Sequence, residues 1–218
     1  MGITEKLLYV WGIYLITPIS VYLFLALTAS MPIHKISIGL GKRVFKYKKV
    51  NLHLFPITAS LELQPIKVEH LMVSPLERKP LLFRITWLFA GSLALVILGA
   101  PYNHSIIISS FISGLYQPFT GMLSPLTTAQ EYLSIFWSFA DSRNALSIAG
   151  LIGIKALALN VIFLTLRALP TPLEKVQDPK PWLQSIQQKI LFIIWLFLRA
   201  LIITWLISIA YFIYGLTG

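Results

Sequence analysis

The side chains able to do chemistry in this chain are few and scattered. Four histidines, His34, His53, His70 and His104, are the first candidates for metal ligation or proton transfer, and no two of them stand four residues apart. A helix brings a pair of ligands to one face only at a spacing of three or four. These four therefore read as polar residues of loops and strands at an interface. The chain has no cysteine, which removes disulfides, thiolate catalysis and Cys-held metals. Serines are plentiful and Lys155 lies in an apolar stretch, the ingredients of a Ser/Lys dyad, yet no motif singles out a nucleophile. This inventory predicts no catalytic residue, no metal and no cofactor.

The elements that would position these residues are mostly apolar. Of the 218 residues, 56% are hydrophobic and 12% charged, against about 25% charged in an average soluble domain. Four runs, 7–29, 81–99, 145–169 and 190–214, are long and apolar enough to cross a bilayer. The first is longer than the core of a signal peptide and lacks a small-x-small cleavage site, so it reads as a retained span ended by Met31-Pro32. Residues 104–140 are apolar but interrupted by serines, Gly114, Gln117 and Pro118. They read as a re-entrant or interfacial segment or half of a helical hairpin, with an amphipathic helix from Ala129 to Ala140. The expected fold is an α-helical polytopic membrane protein, one membrane domain over 1–218. It has four transmembrane helices, a possible re-entrant or hairpin segment, and a small membrane-associated β-sheet after the first helix.

That sheet is expected in the basic segment 34–70. Lys35, Lys42, Arg43, Lys46, Lys48 and Lys49 precede its first acid, Glu62. Val50, Leu52 and Leu54 alternate with Asn51 and His53, the period of a strand. Gly39 and Gly41 mark a turn or bulge, and Phe55-Pro56 a strand break. The net charge of +10 clusters at the ends of apolar runs, which favours anionic lipid headgroups over nucleic acid. Lys42, Arg43, Lys46, Lys48 and Lys49 are the candidates for that contact. The positive-inside rule puts 34–80 in the cytoplasm, in a multi-pass protein of the cell membrane, the bacterial cytoplasmic membrane fitting best.

Two cations fall inside apolar runs. Lys155 is ten residues into the span from Ala145 and Arg199 nine into the span from Ile190. A cation at the bilayer centre costs about 2.5–3.5 kcal/mol on insertion scales, and no acid lies in these spans to offset it. Hydration in a cavity, a lipid phosphate, or an acid on a partner's transmembrane helix would each account for them.

Three segments carry a resemblance. The first is Ile36-Ser37-Ile38-Gly39-Leu40-Gly41 with Leu54-Phe55-Pro56-Ile57. The second is Lys79-Pro80-Leu81-Leu82-Phe83-Arg84 with Ala90-Gly91-Ser92-Leu93-Ala94, and the third is Leu169-Pro170-Thr171-Pro172-Leu173-Glu174. In this order they resemble the site-2 protease family of intramembrane metalloproteases. Its corresponding patterns are F-S-I-G-F-G with I-P-x-G-G-Y-V, K-P-x-x-x-R with A-G-P-L-A-N, and L-P-I-P-x-L-D-G. The resemblance implies a helical core, a membrane-associated sheet whose edge holds an unwound substrate segment, and a zinc centre. The family's H-E-x-x-H precedes the F-S-I-G-F-G strand by a fixed count, and that count back from Ile36 arrives at Pro18-Ile19-Ser20-Val21-Tyr22. No metal ligand stands there. For the third ligand, the Asp of L-D-G, the chain has Glu174, one place out of register and followed by Lys175. A catalytic zinc needs three protein ligands and a water. Arg167, on the helix that carries a ligand in active relatives, would put a positive charge where the metal otherwise sits.

The chain is therefore expected to be a catalytically inactive site-2-protease-like protein, a binding, assembly or regulatory subunit of a membrane complex. Pro18, Ile19, Tyr22, Gly39, Gly41, Gly91, Pro170 and Glu174 are the vestigial motif positions. Other membrane proteins, met through transmembrane helices or strand addition, and anionic headgroups are the expected partners. Lys155, Arg199 and Arg167 join the basic segment as partner- or lipid-binding candidates. Two other readings are an intramembrane protease with borrowed zinc ligands or a non-metal nucleophile, and a transport or channel component using Lys155 and Arg199.

Overall fold

The structure, a computed structural model, describes residues 2–68, 71–168 and 181–217. It is mostly helical, 70%, with a small antiparallel sheet after the first helix. The helices are α1 (Ile3–Thr28), α2 (Leu81–Asn103), α3 (Ile107–Leu123), α4 (Thr128–Ser142), α5 (Ala145–Ala168) and α6 (Pro181–Thr217), and the strands β1 (Ile33–Tyr47), β2 (Val50–Leu63), β3 (Ile66–Val68) and β4 (Leu71–Val73) precede α2. Among the described residues, helices α1, α2, α5 and α6 contain the 4 segments long and apolar enough to cross a membrane. The chain forms two compact units, Met1–Ile107 with Arg143–Leu157, and Ile108–Ser142 with Ala158–Gly218.

In the first unit, α1 ends in a left-handed Ser30, φ 52. Its N–H donates to the Leu27 carbonyl, and the Met31 N–H donates to that of Ala26 at 2.8 Å. This pair of bonds closes a helix C-terminus, and both Ala26 and Met31 are buried there. Lys79 Nζ donates to the Ala29 carbonyl at 2.8 Å, a cation on the negative end of the helix dipole. Helices α2 and α5 approach backbone to backbone. A β-carbon on Gly99 would stand 2.4 Å from Gly150 Cα, and one on Gly153 would stand 2.6 Å from Leu95 Cβ. Where lipid supplies no hydrophobic drive, small residues allow helices to associate in this way. Asn103 and Ser147, both 1% exposed, lock the end of the contact. Asn103 Nδ2 donates to the Ser147 carbonyl at 2.7 Å, and Ser147 Oγ donates to Asn103 Oδ1 at 2.6 Å.

The two long strands make more than a plain hairpin. Ile36, Ser37 and Ile38 pair with Leu61, Ser60 and Ala59 on one side and with Val50, Asn51 and Leu52 on the other. The 43–47 stretch of β1 pairs with 50–53 of β2, so the sheet runs 43–47, 50–53, 36–38, 59–63 in spatial order. Such doubling back needs a sharp bend in each strand. Gly39 and Gly41 supply the first, at φ 99 and 88, where side-chain-bearing residues are strained. Pro56 does not break β2 as expected; the strand continues through it. Strand β2 runs from Val50 to Leu63 without interruption.

In the second unit, residues 107–142 are two helices, α3 and α4, of 17 and 15 residues. Both are shorter than the roughly 20 residues a spanning helix needs. They pack on one face of α6. Trp205 fills the space left by Gly121, where a β-carbon would stand 2.4 Å from its ring, and its indole N–H donates to the Pro118 carbonyl at 3.0 Å. Gln130 Nε2 donates to the Ser208 carbonyl at 2.9 Å. Helix α6 begins earlier than the apolar run from Ile190, because Pro181 suits the first helical position and polar residues do not stop a helix. Helix α2 likewise continues past Gly99 to Asn103, held by the Ser147 bonds.

Candidate functional site

Side chains of paired residues project to the same side of a sheet and alternate along each strand. The observed register therefore sorts this sheet into two unlike faces. On one, Ile36 meets Leu61 and Val50, Ile38 meets Ala59 and Leu52, Phe45 meets Leu52, and Tyr47 meets Val50. Every member is apolar or aromatic. On the other, Ser37 meets Ser60 and Asn51, Lys46 meets Asn51, and Lys35 meets Glu62 in an ion pair of 3.1 Å. None of the apolar-face residues is buried, and Phe45 and Tyr47 are 56% and 60% exposed. On the polar face only Asn51 is buried, while Lys46, Ser60 and Glu62 are exposed. Asn51 is 8% exposed there, and its Oδ1 accepts no hydrogen bond.

The same fold divides the basic run that looks continuous in sequence. Lys42 and Arg43 follow Gly41 at the bend. Lys48 and Lys49 form the turn between β1 and β2, which returns to the start of β1: Lys49 Nζ donates to the Ile33 carbonyl at 2.6 Å, and the Ile36 N–H to the Lys49 carbonyl at 2.7 Å. Lys48 Nζ lies 5.6 Å over the Tyr47 ring. His53 clasps the bend, its Nδ1 2.9 Å from the Gly41 carbonyl. A carbonyl can only accept, so Nδ1 carries the proton.

Three vestigial motif positions meet at the α1–α2 contact. A β-carbon on Gly91 would stand 2.9 Å from Pro18 Cβ and 3.0 Å from Tyr22 Oη, and the Tyr22 ring lies 5.2 Å from that of Trp87. Ile19 is half-buried on the same helix. Pro170 and Glu174 lie outside the described residues, as do His70 and the side chain of Arg167. Among the described residues no group of three or more His, Asp or Glu could hold a metal ion.

The two cations within the apolar helices differ. Lys155 is half-buried on α5 and interacts within the chain. Arg199 is exposed on α6, on the side opposite the one that carries Phe197, Trp205 and Ser208 onto the second unit. Its guanidinium stacks 3.6 Å over the ring of Trp195, one turn toward the Lys189 end. Sequence reasoning did not single out Asn103, Ser147, Gly121 or Trp205. Their partners are dozens of residues away, and no local pattern marks them. No protein-family model, curated protein or solved structure matches the chain.

Proposed function

We propose that this chain is a non-catalytic, site-2-protease-like membrane protein that serves as a binding, assembly or regulatory subunit of a membrane protein complex. One observation carries the reading. The position that the resemblance assigns to the metal-binding motif holds Pro18 and Tyr22, and both pack against Gly91, in the second resembling segment. Close helix packing occupies a place where a hydrolytic site would need ligands and water. The order of helix, sheet and helix, α1 to α2, also suits the resemblance. Stretches 43–47 and 59–63 each pair on one side only among the described residues. Either edge can accept an extended segment of another membrane protein, which main-chain hydrogen bonds would hold without any chemistry.

The test is metal and complex analysis of the full chain, extracted from its native membrane in mild detergent. The expected result is zinc far below one ion per chain, and migration with another membrane protein in fixed ratio. Stoichiometric zinc would overturn the reading in favour of a protease.

A further inference from the structure

We propose that the apolar face of the sheet is a bilayer-docking surface. It lies on the anionic leaflet next to α1, with the turn lysines on lipid phosphates. The inference rests on reading α1 and α2 as membrane spans and is independent of what protein the chain binds. Three observations carry it.

The first is the face itself. Ile36, Ile38, Phe45, Tyr47, Leu52 and Leu61 share one side of the sheet; among the described residues none of them is buried, and Phe45, Tyr47 and Leu52 are exposed. The second is tethering. The Gln64 N–H donates to the Pro32 carbonyl at 2.7 Å, so the sheet begins and ends beside the terminus of α1. At about 3.3 Å per residue no part of it can leave that membrane surface by more than roughly 25 Å. The third is the placement of charge. The Lys49 bond to Ile33 returns the Lys48–Lys49 turn to the membrane end of the sheet, where Lys79 also sits on the last turn of α1. Residues 33–63 hold six cations and one acid, and none of the paired residues Ile36, Ile38, Phe45, Tyr47, Val50, Leu52, Ala59 and Leu61 is charged.

An apolar surface rimmed by cations, with Phe45 and Tyr47 within it, matches the layering of acyl chains beneath anionic headgroups. An extended peptide would not use this surface, because it pairs along a strand edge and leaves the face uncovered.

The chain has no cysteine, so single cysteines can report each face. Leu52→Cys and Leu61→Cys probe the apolar side and Ser60→Cys the polar side, each carrying an environment-sensitive fluorophore. The full chain is reconstituted in vesicles of phosphatidylcholine with phosphatidylglycerol. The expected result is quenching of both apolar-side probes by lipids bearing a shallow nitroxide, and quenching of the Ser60 probe by aqueous iodide. Removing phosphatidylglycerol is expected to lower the nitroxide quenching several-fold. Lys48→Gln with Lys49→Gln should do the same, as should Lys48→Gln alone, which leaves the Lys49–Ile33 bond in place. Equal quenching on the two faces, or none by lipid in these vesicles, overturns the proposal. So does protection seen only in native membranes, which would make the occupant a protein. Quenching indifferent to phosphatidylglycerol overturns the anionic assignment. Loss of the chain from vesicles on an alkaline wash would strike the membrane-span reading itself, leaving the zinc and complex tests of function unaffected.

Discussion

Gly91 carries a hydrogen where any other residue would push a carbon to 2.9 Å from Pro18. Gly91→Val is therefore expected to destabilise the α1–α2 contact by about 1–3 kcal/mol, the usual cost of overpacking. Gly12 on the same α1 has open space around it among the described residues, and Gly12→Val should change stability by no more than about 0.5 kcal/mol. Unfolding midpoints in detergent compare the two; equal effects would dismiss the tight contact. Asn103 and Ser147 offer a second residue-scale test, because their two bonds are fully buried. A double-mutant cycle of Asn103→Leu and Ser147→Ala should give a coupling of about 0.6–1.7 kcal/mol, the range for hydrogen bonds between membrane helices. Gly91 was legible in sequence through its A-G-x-L-A setting. The Asn103–Ser147 lock was not, since only the close approach of Gly99 to Gly150 brings residues 44 apart together.

At the scale of elements, Arg199 shows how a helix can soften its own misplaced charge. Side chains on a helix lean toward its N-terminus, so the guanidinium lies over Trp195, nearer the polar end at Lys189. A desolvated cation–π contact is worth about 2 kcal/mol. With α6 across a bilayer it would offset part of the roughly 2.5–3.5 kcal/mol that a central arginine costs. Arg199→Leu in isolated α6 is accordingly expected to improve insertion by less than the full cost in a translocon assay. A gain of the whole amount would mean that the stacking contributes nothing. The spacing of Trp195 and Arg199, four residues, was visible in sequence; the rotamer that joins them was not. The sheet makes a related point. Alternation in β2 was evident from Val50, Leu52 and Leu54, but alternation in one strand does not say which strands it will meet. The bends at Gly39 and Gly41 decided that.

For the whole molecule, the four apolar helices predict that the basic sheet and the connection after α2 lie on opposite sides of the membrane. Helices α3 and α4, of 17 and 15 residues, are both below the usual length of about 20 for a span, and a pair that does not cross would return the chain to the side it left. Ser60→Cys should thus react with an impermeant maleimide from one side, and His104→Cys and Ser142→Cys from the other. Finding His104→Cys and Ser142→Cys on opposite sides would show that an odd number of helices crosses between them. Hydropathy and charge by themselves determined the mostly helical class, the four candidate spans and the presence of a basic strand segment, because each follows from runs of neighbouring residues. Only the tertiary structure decided the rest. It put Lys42 and Arg43 at a bend, Lys48 and Lys49 in a turn and Lys35 and Lys46 on the polar side of the sheet, gave the sheet an apolar face, and seated Pro18 and Tyr22 on Gly91. Those outcomes depend on register and on distant backbones meeting within van der Waals reach, which local patterns do not encode.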